Sequence, residues 1–280
     1  MPNDLPPGRS VELPGRGTTF VRELAGPIDA PTLVLLHGWT ATGAVNWFAT
    51  CRPLARFFRV LMIDHRGHGR GLRPRGPFRL EDCADDVVAL LDVLGIARAA
   101  AVGYSMGGPI AQLLWRRHPT RVEGLVLCAT SRNFGGGRHA RVFYGGLATG
   151  GAALTFAPAA MRGLIMDRFL KARLDDPGVA WMAEEYRYGD PALIMQAGGA
   201  LGRFNSAPWI SEVDVPTAVI VTTEDTVVSP ERQRKLAAAI PRAVVFEVAG
   251  DHRSCVARPD LFVPQLVAAC QHVTRRPPVR

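Results

Sequence analysis

The chain is 280 residues long, 48% apolar and 21% charged, with 33 basic against 25 acidic side chains and a net charge of +8. That supplies a sizeable core and excludes a disordered chain, which is poor in large apolar residues. The positive charge is nearly all arginine, in short scattered groups such as Arg66, Arg70, Arg73 and Arg75, with no zinc-finger, helix-turn-helix or RNP-like pattern, so nucleic acid is not an expected partner.

The chain starts without a basic n-region or an apolar h-region, so no signal peptide is expected. Val11–Leu13 reads as a short strand. Thr18–Leu24 (TTFVREL) alternates and fits an outer antiparallel strand. Five short apolar runs follow along the chain: Thr32–Leu36, Val60–Ile63, Ala99–Val102, Gly124–Ala129 and Ala218–Thr222. Val244–Val248 is a sixth. Runs apolar on both faces are what strands of a buried parallel sheet look like.

Helical patterns lie between them. Trp47–Phe58 is one. Glu81–Leu94 carries Val87, Leu90, Leu91 and Leu94 on one stripe. Ser105–His118 turns Ile110, Leu113 and Leu114 inward and Gln112, Arg116 and Arg117 outward, and Pro119 stops it. Pro230–Ile240 starts with Ser229 as N-cap and Pro230 at the first helical position. A last helix falls within Leu261–Val273, followed by a loose RRPPVR tail.

This alternation predicts an α/β fold with a mostly parallel sheet flanked by helices on both faces. It breaks between Arg132 and Ala207. Glycines are frequent there, no strand pattern is visible, and helical patches occur at Met161–Leu174 and Val179–Arg187. The break reads as an insertion over the sheet, within a single 1–280 domain. It contains Val142–Met161, 20 residues without a charge, flanked by Arg141 and Arg162. That length suits a membrane span. Gly145, Gly146, Gly150, Gly151 and Pro158 interrupt it, so a buried or ligand-facing helical region is expected instead. The five cysteines, Cys51, Cys83, Cys128, Cys255 and Cys270, are widely spaced with no CxxC. They form neither a disulfide framework nor a zinc site and suggest a reducing, cytoplasmic setting.

Gly103-Tyr104-Ser105-Met106-Gly107-Gly108 follows an apolar run and opens a helix, the context a G-x-S-x-G nucleophile elbow requires. A serine hydroxyl is a weak nucleophile and needs a base, and the base needs an orienting carboxylate. Among seven histidines, His252 follows the last strand run on a loop at the carboxyl edge of the sheet, and is the candidate base. Asp225, just past the Ala218–Thr222 run, is the candidate acid, with Glu224 and then Asp251 as competitors. The oxyanion needs two backbone donors. Met106 N–H is one, and Trp39 N–H, in the His37-Gly38-Trp39-Thr40 loop after the first buried strand, is the other. His37 and Gly38 would shape that loop.

Together, HGW at 37–39, DHRGHG at 64–69, GYSMGG at 103–108, EDTVV at 224–228 and GDH at 250–252 resemble the α/β-hydrolase superfamily, in the chain order serine, aspartate, histidine. The resemblance covers nearly the whole chain outside the insertion. It implies the α/β-hydrolase fold, a structural role for the 64–69 loop, and a helical cap at 132–207 over the nucleophile. One departure stands: Gly250-Asp251 precedes the histidine where glycine usually does so directly, shifting the loop by a residue. Relatives that open epoxides or remove halides use aspartate where Ser105 stands, so those chemistries are disfavoured.

The expected function is a serine esterase, carboxylesterase- or lipase-like, acting on an apolar small-molecule ester or thioester through an acyl-enzyme. The alternatives are perhydrolase or haloperoxidase-like, acyltransferase or amidase activity on the same triad, or a non-catalytic ligand-binding member of the fold. No P-loop, dinucleotide fingerprint or metal-spaced His/Cys cluster occurs, so no cofactor and no metal are expected. Arg132, Arg138, Arg141, Arg162, Arg168 and Arg173 either form a solvated face of the cap or bind an acidic group on the substrate.

Overall fold

A computed structural model describes residues 5–74, 76–171 and 180–275. Its sheet has eight strands: β1 (Gly8–Leu13), β2 (Gly17–Leu24), β3 (Thr32–Leu36), β4 (Arg59–Ile63), β5 (Ala99–Tyr104), β6 (Val122–Cys128), β7 (Thr217–Thr222) and β8 (Val244–Val248). Their spatial order is β1-β2-β4-β3-β5-β6-β7-β8. β1 and β2 run antiparallel to their neighbours, and β4 through β8 pair in parallel. β2 is therefore interior, and β1 is the outer strand.

Alternate side chains feed two cores, as the two-residue repeat of a strand requires. Val34, Leu36, Ala101, Leu127 and Val219 meet α3 (Leu80–Val93), α4 (Gly107–Arg117) and α9 (Pro230–Ala239). Leu33, Leu35, Val102, Val126 and Ile220 meet α1 (Gly43–Trp47), α2 (Cys51–Ala55), α10 (Ser254–Ala257) and α11 (Pro259–Thr274). All five cysteines are free and buried. β8 is the exception to the buried reading. Val244 and Val245 are exposed, because β8 is the sheet edge and has a neighbour only in β7.

Two helical expectations change. Trp47–Phe58 is not one helix but α1 and α2. Thr42 caps the first, accepting from the Val45 N–H at 3.2 Å. Pro53 has no N–H to bond back to Ala49 O, and at the break Trp47 O accepts from both the N–H and Oγ1 of Thr50, each at 3.0 Å. In α4, Gln112 points inward. It is fully buried, donates to Ser131 O and accepts from Ser206 Oγ at 2.6 Å. A polar residue reads as outward by pattern alone, and only the loops that come to meet it make burial tolerable.

Between β6 and β7 the chain forms α5 (Arg138–Thr155), α6 (Ala159–Lys171), α7 (Ala180–Arg187) and α8 (Pro191–Arg203). Leu174 and Val179, the ends of two expected patches, lie outside the described residues, as does the tail beyond Arg275. The glycines do not break α5, which runs through Gly145, Gly146, Gly150 and Gly151. Those of α8 permit close contact instead. A Cβ at Gly199 would lie 2.6 Å from Ala148 Cβ, and one at Gly202 would lie 2.2 Å from Tyr144 Cβ. Pro158 does end the helix. α5 meets α8 along one side only, through Tyr144, Leu147, Ala148 and Gly151, so Val142–Met161, helical outside 156–158, is mostly exposed, not buried.

α7 is fastened to the sheet by a buried charge cluster. Glu185, 1% exposed, accepts Arg22 of β2 at 3.1 Å and Arg70 at 2.8 and 2.9 Å. Arg70 also lies over the Tyr188 ring, 3.8 Å from its centroid. Glu185→Gln should cost about 3 kcal/mol, because it leaves two arginines without their counter-charge in a dry site. Urea unfolding measures this, and an unchanged midpoint would show that the cluster is not holding the helices down.

Candidate active site

The order of the strands sets the position of the site. β4 lies on one side of β3 and β5 on the other. The chain thus reverses its winding direction between β3 and β5, and the loops leaving their carboxyl ends diverge and open a crevice. His37–Thr40 leaves β3 and Ser105 leaves β5.

Ser105 sits at φ +51°, a left-handed conformation that costs energy for a residue with a side chain. The turn is over-determined by its neighbours. Ser105 N–H donates to Cys128 O at 2.9 Å, and Ser105 O accepts from Thr130 Oγ1 and Gly108 N. A Cβ at Gly103 would stand 2.3 Å from Gly107 O, and one at Gly107 would stand 2.0 Å from Leu36 O. The glycines at 103 and 107 are thus steric requirements. Met106 and the start of α4 follow at once, placing backbone N–H groups and the positive end of the helix beside the hydroxyl.

The structure brings Ser105, His252 and Asp225 together from three loops. His252 Nε2 lies 3.0 Å from Ser105 Oγ, and His252 Nδ1 lies 2.7 Å from Asp225 Oδ2. The Gly250-Asp251 sequence before the histidine does not prevent this. Asp251 caps its own turn by accepting from Arg253 N–H, and Tyr104 OH holds His252 O at 2.9 Å. Glu224 is exposed and Asp251 faces Arg253, so neither competitor reaches the imidazole. Of the remaining histidines, His118 pairs with Asp85 and His272 lies against Phe246.

Every acceptor site of Asp225 is used. Oδ2 takes His252, Thr222 Oγ1 and Gln233 Nε2; Oδ1 takes the N–H groups of Val227 and Val228, both at 2.8 Å. Burial alone would push this carboxyl up. The bond to His252, the imidazole charge and the neighbouring donors outweigh burial and hold it below the ordinary carboxylate range. With donors on all sides of the carboxylate, Nδ1 of His252 must carry the proton, and Nε2 is left to accept from Ser105. Gln233 of α9, which also donates to Val228 O at 2.7 Å, has no signature in the sequence.

The loop after β3 is set by buried side chains. Gly38 approaches Ser105 closely: a Cβ there would be 3.3 Å from Ser105 Cβ. Its N–H is taken by Asn46 Oδ1 at 2.9 Å. Its carbonyl accepts from Ala41 N–H at 3.2 Å and contacts His37 Nδ1 at 2.8 Å. His37 Nε2 accepts from His65 N–H at 3.0 Å, so Nδ1 bears the proton and donates to Gly38 O. In a trans peptide the N–H points opposite to the carbonyl. The Trp39 N–H is therefore directed away from these donors, and it has no protein acceptor among the described residues. The Trp39 indole reaches the inserted helices. Its Nε1 donates to Ile194 O of α8 at 2.7 Å, and Phe143 of α5 meets the ring edge-on.

The DHRGHG loop supports the first loop from below. Asp64 accepts from Gly43 and Arg70 N–H groups. Arg66 makes a two-point contact with Asp86 of α3 at 2.7 Å each. Burial pushes the Asp64 carboxyl up to about 6. His37, His65 and His68 form a buried group, with ring centroids 4.3 and 5.3 Å from His37. Burial is the largest cause at all three, joined by His65 and His68 at His37, by His68 and Arg66 at His65, and by Arg73 at His68; it lowers His65 to about 3, His68 to about 4, and His37 well below its usual range. Among the described residues, no cluster of His, Cys, Asp or Glu is arranged to hold a metal ion.

A family model described as the alpha/beta hydrolase fold matches residues 31–259. The chain belongs to this family of hydrolases. It is 30% identical to the pimeloyl-[acyl-carrier protein] methyl ester esterase of Chromobacterium violaceum over 228 residues, 78% of this chain and 85% of that one. It is 35% identical to a Caulobacter segnis protein named as a carbamate hydrolase. That match spans only 103 residues, 36% of this chain and 39% of the other protein. The crystal structure of the enol-lactonase from Burkholderia xenovorans superposes with a TM-score of 0.75 at 28% identity, covering 93% of this chain and 98% of that one.

Proposed function

We propose that this hydrolase cleaves carboxylic esters or thioesters of apolar small molecules, with Ser105 as nucleophile, His252 as general base and acid, and Asp225 as the group that orients His252. The observation that carries this reading is the unbroken chain from Ser105 Oγ through His252 at 3.0 Å to a fully hydrogen-bonded Asp225 at 2.7 Å. The ester-cleaving names of the Chromobacterium esterase and the Burkholderia enol-lactonase support it.

In the first half-reaction Ser105 Oγ attacks the carbonyl carbon while its proton passes to His252 Nε2. The resulting imidazolium is stabilised by Asp225, which keeps its negative charge throughout. The N–H groups of Met106 and Trp39 receive the oxyanion. Asn46 and His37 act as positioning residues, since they hold the Gly38–Trp39 peptide by its other hydrogen-bonding groups. Such preorganised donors are worth about 3 kcal/mol of barrier each. His252 then returns the proton to the departing alkoxide or thiolate, leaving an acyl-Ser105. Water, deprotonated by His252, releases the acid.

Residues 132–207 act as a cap in this reading, with Trp39 as the contact between cap and oxyanion loop. Trp39, on the loop next to Ser105, offers aromatic surface, with Phe143 edge-on to it, which suits an apolar acyl or alcohol portion. Four of the arginines do not favour an anionic substrate group. Arg138, Arg141 and Arg168 are exposed on the outside of α5 and α6, and Arg162 lies 3.8 Å from Asp190. Arg173 lies outside the described residues.

A fluorophosphonate probe followed by peptide mapping tests the proposal. The expected result is modification at Ser105 that is lost in His252→Ala. A folded wild-type chain that resists the probe and turns over no member of an ester and thioester series would support a ligand-binding role instead.

A further inference from the structure

The outward surface of α5 and α6 departs from what water normally faces. From Val142 to Thr155, α5 carries no charge, yet only Gly151 and Leu154 of the helix are buried. Val142 is 69% exposed and Phe156, at the end of the helix, 90%. In α6, Met161, Leu164 and Ile165 recur at helical spacing on one exposed side, while Met166 is buried on the other. Exposed apolar side chains at this density mark an interaction surface. Basic residues flank it. The two helices carry Arg138, Arg141, Arg162 and Arg168 against a single acid, Asp167. Arg138 and Arg141 have no carboxylate partner among the described residues.

We propose that this surface docks the protein in the plane of an anionic membrane, with Phe156, Leu164 and Val142 entering the boundary between headgroups and acyl chains and the arginines meeting lipid phosphates. Large exposed apolar side chains beside arginines, with almost no acid, are the composition of interfacial helices, and anionic headgroups supply the complementary charge. No helix among the described residues is long and apolar enough to cross a membrane, so the contact lies on the surface. A second copy of the chain fits the patch less well. A self-complementary contact would set one arginine-rich face against the same face of its partner. Docking in this orientation places the inserted helices, and Trp39 beneath them, toward a phase in which apolar esters dissolve.

Flotation with vesicles tests the inference, using the full chain and its Ser105→Ala form so that the result does not depend on the triad. The chain should float with equimolar phosphatidylcholine and phosphatidylglycerol but not with phosphatidylcholine alone. Phe156→Ser with Leu164→Ser, and separately Arg138→Glu with Arg141→Glu, should each lower the bound fraction about tenfold or more. All of these side chains are exposed, so thermal melts should stay within a few degrees of wild type. No flotation with the anionic vesicles, or equal flotation in both variants, overturns the proposal. A wild-type dimer that Phe156→Ser with Leu164→Ser converts to monomer would also overturn it, and would give the face to a second copy.

Discussion

Ser105→Ala should lower the turnover of p-nitrophenyl esters by roughly 10⁴-fold or more, because residues acting as one nucleophilic unit lose nearly all of their effect when one is removed. His252→Ala should cost a similar factor, and the double variant little more than either alone. The fold should tolerate the serine change. Ser105 O and N–H, not the hydroxyl, hold the elbow to Cys128, Thr130 and Gly108. The Tm should therefore stay within a few degrees. Asp225→Asn is a poorer test. Oδ2 faces three donors and Oδ1 two, so an NH₂ in either position meets donors and disturbs packing as well as the imidazole. Retained activity in a well-folded Ser105→Ala chain would remove the serine from the mechanism.

The second large effect is loss of stability in mild acid. In the unfolded chain, the imidazoles of His37, His65 and His68 protonate near pH 6.5. In the folded chain they resist protonation, since burial lowers His65 to about 3, His68 to about 4 and His37 well below its usual range. Each depressed group contributes stability that is complete above about pH 6.5 and is lost as pH falls toward its folded value. Asp64, raised to about 6, works the other way: the folded state takes up its proton first, so acid stabilises it over the same interval. From pH 7 to pH 5 His65 and His68 together withdraw roughly 4 kcal/mol, His37 acts in the same direction, and Asp64 returns about 1 kcal/mol. The net loss is a large part of the 5–15 kcal/mol typical of a folded domain. Urea midpoints at the two pH values measure the loss. His65→Leu should flatten the pH slope by about one proton, or ~1.4 kcal/mol per pH unit. It also removes two ring nitrogens that have no partner among the described residues. A wild-type midpoint that does not fall would show that the imidazoles are solvated.

Particular segments show where reading the sequence works. Leu33 to Leu36 can be placed as a buried strand from four consecutive apolar residues, because a central parallel strand is covered on both faces. Val244–Val248 has the same appearance and is an edge, since being last in the sheet leaves no trace in local pattern. Gln112 and Gln233 look like surface residues. Gln112 is buried because Ser206, 94 residues away, comes to meet it, and Gln233 because the loop after β7 turns its polar groups back onto α9. Asn46 lies eight residues from Gly38, and its bond to the Gly38 N–H follows from the turn between them. Gly145, Gly146, Gly150 and Gly151 read as helix breakers, yet α5 runs through all four and lies against α8.

The sequence by itself determined the strand rhythm and the glycine-flanked turn at Ser105, and it offered the candidates for base, acid and the loop that carries Trp39. Each of these is a local steric or chemical demand: glycines where a Cβ would collide, apolar runs where both faces are covered, and a serine that needs a base and an acid in order. Only the tertiary structure decided which peptide of the HGW loop is free to donate, which carboxylate reaches His252, and which side of α5 is outside. Those depend on hydrogen bonds and contacts between segments far apart in the chain, such as Trp39 to Ile194 and His252 to Asp225. A pattern of single residues does not encode such pairings. They form only when the strands have taken their places in the sheet.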